Sequence, residues 1–218
     1  MSKQSLGTKL LKGIILTFLF VAGFSYFEPT LINHQQIWLM VIISVIASVF
    51  QPDYSPFKFA KDDNDKGTAL QIIWCVYLSQ VIILSEFVFS SYSPEPGWSA
   101  ASMAGAVGAV VGLVIRSWAY FELGNYFTWH ITVVDKQPVI DTGPYRWLAH
   151  PGYTGALLTY TATGVMLESW GAALCSMLFL FVVFRRRVRF EEKLLLDDIG
   201  EEYRLFLKQR YKLVPFIY

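Results

Sequence analysis

The side chains of this 218-residue chain that can do chemistry gather in two stretches. One is Asp141 to Gly155, DTGPYRWLAHPGYTG; the other is Arg185-Arg186-Arg187-Val188-Arg189-Phe190-Glu191-Glu192, some thirty residues later. Gly143-Pro144 is a turn dipeptide that presents backbone N–H groups. His150 stands between Ala149 and Pro151 where an apolar run begins, and there it either donates to a ligand or hydrogen-bonds the turn. Tyr145 and Tyr153 flank it with aromatic faces and hydroxyls. An adenine suits such a surface, and a sulfonium is drawn to it by cation–π attraction.

Arg187 and Glu191 lie four residues apart on one helical face, and two readings of the pair stay open. An exposed pair at this spacing is worth only about 0.3 to 0.5 kcal/mol. Charges that follow directly on an apolar span are costly, however, and an arginine there is expected to meet a lipid phosphate or a substrate anion. Other chemistries lack their residues. The histidines are His34, His130 and His150, and Cys75 and Cys175 each sit inside an apolar run, the place of a small hydrophobe rather than of a disulfide or a metal ligand. Without Cys/His metal spacing, a glycine-rich phosphate loop, or a serine near a histidine and an acid, neither metal nor acyl-enzyme chemistry is expected.

The composition says what must hold these groups. The chain is 54% hydrophobic and 17% aromatic but only 16% charged, against about 25% charged for a soluble domain, and its mean hydropathy is +0.42. This is the profile of an integral membrane protein, of the all-α class, a polytopic helical bundle. The net charge of +1 comes without a basic face, so no nucleic acid partner is expected. Apolar runs predict six spans, at about 10–27, 36–50, 69–92, 99–121, 152–167 and 170–184. Lys9 and Lys12 before the first run suit a signal peptide, but Ser25-Tyr26-Phe27 is a poor cleavage site, so the span is expected to be retained. Gly105 and the small-xxx-small stretch Gly108 to Gly112 let the fourth span approach a neighbour closely.

Ser55 to Lys66 reads as a solvated loop and Ser93 to Gly97 as a tight turn. Residues 122–151 form a polar loop, and functional groups tend to sit on such loops. Spans five and six, joined only by Glu168-Ser169, predict an antiparallel hairpin that brings the two chemical stretches to one side. At about 1.5 Å per residue they reach roughly 22 to 25 Å, a little short of the hydrocarbon thickness, so Arg185 to Arg189 are expected to snorkel. Residues 185–212 predict a C-terminal amphipathic helix, interrupted by Gly200 and ended by Pro215, lying on the membrane or on the core of the site. Lys and Arg outside the spans all fall on one side, which predicts cytosolic termini and a cytosolic site.

Taken together, Leu123-Gly124-Asn125-Tyr126-Phe127-Thr128, Asp141 to Arg146, His150 to Gly155, Glu191-Glu192, Gly200 to Tyr203 and Val214-Pro215-Phe216-Ile217 resemble the isoprenylcysteine carboxyl methyltransferase family. The resemblance covers about the C-terminal half. It implies a polytopic enzyme, of the endoplasmic reticulum in eukaryotes, that uses S-adenosylmethionine to methylate the C-terminal carboxylate of prenylated cysteine in CaaX-processed proteins, with no metal. It further implies a cofactor pocket of Gln137, Pro138, Val139, Ile140, Tyr145, His150, Pro151, Gly152 and Tyr153, with Glu191 holding polar groups of the cofactor and Arg187 the substrate carboxylate. The expected partners are prenylated C-terminal cysteines and the bilayer. Two departures stand out: a family glutamine falls near Thr132, and the family arginine before His-Pro is Ala149, with Arg146 three residues earlier as a candidate substitute. The alternatives are a related membrane methyltransferase acting on a phospholipid amine, and a non-catalytic membrane protein or small transporter.

Overall fold

The computed structural model describes residues 6–49, 66–90, 97–128, 131 and 137–214. Among them are seven α-helices: α1 Leu6–Ser25, α2 Gln35–Val49, α3 Thr68–Phe89, α4 Ala100–Leu123, α5 Pro151–Met166, α6 Trp170–Asp198 and α7 Glu201–Lys208. Short 3-10 turns lie at Pro29–Asn33, Gly124–Tyr126 and Gly143–Arg146. No strand occurs among the described residues, and one isolated parallel bridge joins Leu148 to Tyr211. Gly7–Ser25, Thr68–Phe89 and Ala100–Tyr126 are long and apolar enough to cross a membrane, and α2 is a shorter apolar helix. Large apolar side chains such as Phe18, Trp74, Phe121 and Val182 are exposed on the outer faces, where lipid rather than water is the compatible solvent. The protein is a helical integral membrane protein.

Glycine sets the closest helix contact. A Cβ on Gly105 would stand 2.2 Å from the Met166 backbone nitrogen, one on Gly112 2.6 Å from that of Thr159, and one on Gly155 2.5 Å from the Gly112 carbonyl. Backbone therefore meets backbone along the seam of α4 and α5. Gly108 is looser, with Ala162 Cβ at 3.1 Å.

The α5–α6 hairpin turns at Glu168-Ser169 and is tied to its neighbours by polar caps. Ser169 Oγ donates to the Ile83 carbonyl at 3.0 Å. The Glu86 carboxylate of α3 accepts from the backbone N–H groups of Gly171 and Ala172, at the N-terminus of α6, where a helix leaves its first donors unpaired.

Beyond the bilayer-length part, α6 differs from expectation. The helix has no boundary at residue 184 but continues unbroken to Asp198, because Arg185 to Leu196 holds good helix formers with neither Gly nor Pro. The break comes at Gly200, with φ +78°, and α7 is eight residues long. The expected single helix over 185–212 is thus the end of α6, a glycine break, α7, and an irregular segment. Nor does the arginine run behave uniformly. Arg185, Arg186 and Arg189 are exposed, but Arg187 is only 3% exposed and does not snorkel. Cys75 is half-buried and Cys175 exposed, both free thiols. The polar loop up to residue 65, most of the 93–97 turn, His130, Thr132 and Pro215 lie outside the described residues.

Candidate functional site

Four elements converge where the hairpin opens: the end of α4, the loop from Gln137, the start of α5, and the charged half of α6. Gly143 begins the 3-10 turn with φ +55°, a left-handed conformation suited to glycine, and a Cβ there would stand 2.5 Å from Glu122 Oε2. That carboxylate accepts from Thr142 Oγ1, which fixes the loop to α4. Pro151 takes the first helical position of α5 behind His150, since its missing N–H costs nothing there. The loop thus ends with the His150 ring fixed beside α6.

One cleft is lined by Gln137, Pro138, Val139, Ile140, Tyr145, His150, Gly152, Tyr153, Arg187 and Glu191. The cofactor and substrate residues expected from the sequence therefore lie together, except Pro151, which shapes the turn without lining the cleft. Further walls come from Arg116, Tyr120, Tyr126, Phe127 and Tyr203, and an apolar side from Ala69, Ile72 and Phe184. Ala149 lines the cleft, whereas Arg146 is exposed and outside the lining, so Arg146 does not stand in for an arginine before His-Pro.

Inside the cleft a hydrogen-bond relay fixes the charged groups. Arg187 Nε donates to Tyr153 Oη at 3.2 Å, and Tyr153 Oη donates to Glu191 Oε2 at 2.8 Å. Arg187 Nη1 donates to Thr68 Oγ1 at 2.8 Å, and Thr68 is itself fully buried at the start of α3. The i,i+4 relation of Arg187 and Glu191 is therefore bridged by the Tyr153 hydroxyl. The Tyr153 ring stacks between His150 and Phe184, at 5.9 and 5.5 Å between centroids.

His150 meets both glutamates. Its Nε2 lies 3.3 Å from Glu192 Oε1 and its Nδ1 4.0 Å from Glu191 Oε1. Glu192 Oε2 accepts from Lys212 Nζ at 2.5 Å. Burial pushes the Glu192 carboxyl up, but the hydrogen bonds from His150 and Lys212 outweigh it and hold the group below the usual carboxylate range. Tyr145 and Tyr203 are pushed upward, first by burial and then by the nearby Glu191. Both remain neutral hydroxyls at physiological pH.

The C-terminal part closes over this arrangement. Tyr203 and Phe206 of α7 pack with Ala119, Tyr145 and Ala149, so α7 lies against the core of the site, one of the two expected placements. Arg210 Nε donates to the Tyr145 carbonyl at 2.7 Å, and its guanidinium sits 4.2 Å over the Phe206 ring. Past it, the Ala149 and His150 N–H groups donate to the Tyr211 and Lys212 carbonyls at 2.8 and 3.1 Å. Thr154 Oγ1 donates to the Leu213 carbonyl at 2.6 Å.

Sequence reasoning gave no part in the cleft to Thr68, Lys212 or Tyr120, and Tyr126 entered only within the Leu123 to Thr128 motif. Thr68 and Lys212 are far from their partners along the chain. The available signal was indirect: Glu192 follows a membrane-length helix, and a carboxylate buried there needs a cation.

Residues 104–197 match the model of the isoprenylcysteine carboxyl methyltransferase family. A probable protein-S-isoprenylcysteine O-methyltransferase of Oryza sativa subsp. indica is 34% identical over 118 residues, 53% of this chain and 62% of the relative. Protein-S-isoprenylcysteine O-methyltransferase A of Arabidopsis thaliana is 28% identical over 143 residues, 64% of this chain and 71% of the relative. The Homo sapiens protein-S-isoprenylcysteine O-methyltransferase is 31% identical over 119 residues, 53% of this chain and 42% of the relative. The chain thus spans about three fifths of the rice relative's length and less than half of the human one's. The matched segment runs from α4 through the His150 turn to the end of the Arg187 and Glu191 face. Residues 104–197, which match that family model, supply most of the cleft.

Proposed function

We propose that this protein methylates the C-terminal carboxylate of prenylated cysteine with S-adenosylmethionine as donor. The observation that carries the reading is a buried Arg187, held by Tyr153 and Thr68, in one cleft with Glu191, His150 and an apolar wall. The residues fit that cofactor in kind. Glu191 is an acceptor for its ammonium and hydroxyl groups, His150 offers a ring nitrogen beside it, and the rings of Tyr120, Tyr126, Phe127, Tyr145 and Tyr153 offer faces for an adenine and for a sulfonium. When bound, S-adenosylmethionine supplies an electrophilic methyl group, which a carboxylate takes by in-line displacement.

Arg187 receives the substrate carboxylate, for which a guanidinium provides two parallel donors. No general base is required, since a carboxylate is already ionised at pH 7. The chain's own work is positioning and removal of water. Thr68 and Tyr153 fix the guanidinium, Glu191 and His150 hold the donor side, and Ala69, Ile72 and Phe184 offer the prenyl chain an apolar path from the bilayer. Six spans, a cytosolic site, cytosolic termini and residence in the endoplasmic reticulum membrane complete the proposal, supported by the one-sided placement of basic residues. A neutral phospholipid amine would need a proton acceptor and would gain nothing from Arg187.

The test is transfer of labelled methyl from S-adenosylmethionine to N-acetyl-S-farnesylcysteine by membranes carrying the protein, beside Arg187→Ala and Glu191→Ala. Base-labile methyl ester formed by the wild type and lost in both variants is the expected result. Cofactor binding without transfer points to a lipid acceptor instead, and absence of cofactor binding removes the methyltransferase reading.

A further inference from the structure

The outward face of α6 changes character while the helix runs on unbroken. Leu174, Leu178 and Val182 are exposed apolar side chains. Arg186, Arg189 and Lys193, all exposed, continue the same row at steps of three and four residues, which keeps them on one helical face. From Leu174 to Arg186 the helix rises about 18 Å, close to the roughly 15 Å depth of one leaflet's hydrocarbon. Lipid that covers the apolar part of the row therefore brings its headgroup to Arg186.

The Arg186 side chain is held in place there. Its Nη1 donates to Gln71 Oε1 of α3 at 2.5 Å, and its guanidinium carbon stands 5.8 Å from the Phe190 ring centroid. Lys66, just before α3, places its ammonium 5.2 Å from the same centroid. Two cations thus share one ring, and at an exposed site a ring offsets little of their mutual repulsion. Among the described residues neither makes an ion pair, and neither do Arg189 and Lys193. The acids of α6 are engaged elsewhere or lie farther out: Glu191 accepts from Tyr153, Glu192 pairs with Lys212, and Asp197 comes one turn beyond Lys193. Behind this basic notch, Ala69 and Ile72 of α3 and Arg187 and Glu191 of α6 line the cleft. The two helices therefore form a partition between the cleft and the notch.

We propose that Lys66 and Arg186, with Phe190 and Gln71 as the floor, bind the phosphate of an anionic membrane lipid whose acyl chains lie along Leu174, Leu178 and Val182. An anion between the two cations removes their repulsion. The guanidinium offers a phosphate parallel donors and the ammonium a point charge, while Gln71 uses one donor of the fork and fixes its plane. Free phosphate has the same chemistry at the notch but gains nothing from the apolar row. The site stands apart from the methyltransferase reading and does not depend on it.

The test titrates full-length protein in dodecyl maltoside micelles at low salt with dioctanoyl phosphatidylglycerol, dioctanoyl phosphatidylcholine and inorganic phosphate, with binding read by thermophoresis. Phosphatidylglycerol is expected to bind about thirtyfold more tightly than either of the others. Arg186→Gln is expected to weaken it about fivefold, and Lys66→Gln with Arg186→Gln about thirtyfold, the factors that one and two cations at a membrane surface supply. Both side chains are exposed, so the variants keep their fold. Arg204→Gln, which removes an exposed cation of α7, leaves the affinity unchanged. Equal affinity for the two lipids, or a double variant that binds like the wild type, overturns the proposal. So does an equal loss in Arg204→Gln, which would make the attraction one of net charge alone. Inorganic phosphate binding as tightly as phosphatidylglycerol overturns the lipid assignment and makes the notch a site for the free anion.

Discussion

The two ends of the α5–α6 hairpin carry polar groups of the same kinds and use them differently. At the Glu168-Ser169 turn, side chains bond mainly to backbone: Glu86 to the first N–H groups of α6, Ser169 to the Ile83 carbonyl, and Ser102 to the Met166 carbonyl at 2.7 Å. At the open end they bond side chain to side chain, from Thr68 through Arg187 and Tyr153 to Glu191, and from His150 through Glu192 to Lys212. A carboxylate on helix N–H groups is consumed by the fold. Carboxylates and a guanidinium oriented by one another, with a cleft between them, keep donors and acceptors aimed at a ligand. In a membrane protein, where a stray charge is expensive, bonding pattern separates structure from function better than the mere presence of a charge.

The strongest way to break the comparison is at the open end. Arg187→Lys keeps the charge but loses the planar fork and the Nε bond to Tyr153. Methyl transfer to N-acetyl-S-farnesylcysteine is expected to fall about a hundredfold, some 2.7 kcal/mol of barrier, while thermal unfolding in detergent changes little. Equal activity of Lys and Arg would mean that a point charge suffices and that the relay does not matter. At the other end Glu86→Ala should do the reverse. Loss of the α6 cap is expected to cost about 1 kcal/mol of stability, with Kd for S-adenosylmethionine unchanged at temperatures where the protein is folded. A selective loss of cofactor binding in Glu86→Ala would show the two ends to be coupled.

How much of this was legible beforehand follows the range of the interactions. Helix positions were legible in runs of local hydropathy, and α1 to α5 begin and end within a few residues of the apolar runs. The cleft lining was legible because its residues sit in short motifs, Gln137 to Ile140 and His150 to Tyr153, that a turn and a proline punctuate. The end of α6 was misplaced because a charge run looks like a membrane boundary, although charge does not interrupt helical hydrogen bonding and only Gly200 does. Burial of Arg187 was illegible for a related reason: helical spacing puts it on the face of Glu191, but only the fold brings Thr68 and Tyr153 to meet it. Lys212 was illegible in the same way, since it returns to Glu192 only after the end of α6, the Gly200 break and α7. Local pattern carries secondary structure and loop chemistry; neutralisation of a buried charge is a tertiary property.

The finest distinction between the two ends is electrostatic, and pH exposes it. Glu192 titrates below the ordinary carboxylate range when folded, because the bonds from His150 and Lys212 outweigh its burial. A group whose folded pKa is depressed stabilises the native state above its unfolded value, about 4.3 for glutamate, and loses that contribution as pH falls through the folded value. Wild type is therefore expected to be more stable than Glu192→Gln by a constant margin from pH 7 to about 5, and the margin should shrink below the unfolded glutamate pKa of about 4.3. Glu192→Gln keeps an acceptor for His150 but has no charge for Lys212, so the acid-sensitive part of the margin isolates the ion pair. Thermal unfolding of both proteins in detergent across that range reads it. A margin that stays flat into acid would mean that Glu192 gives no titratable stability, and that the open end, like the turn, is held by hydrogen bonds alone.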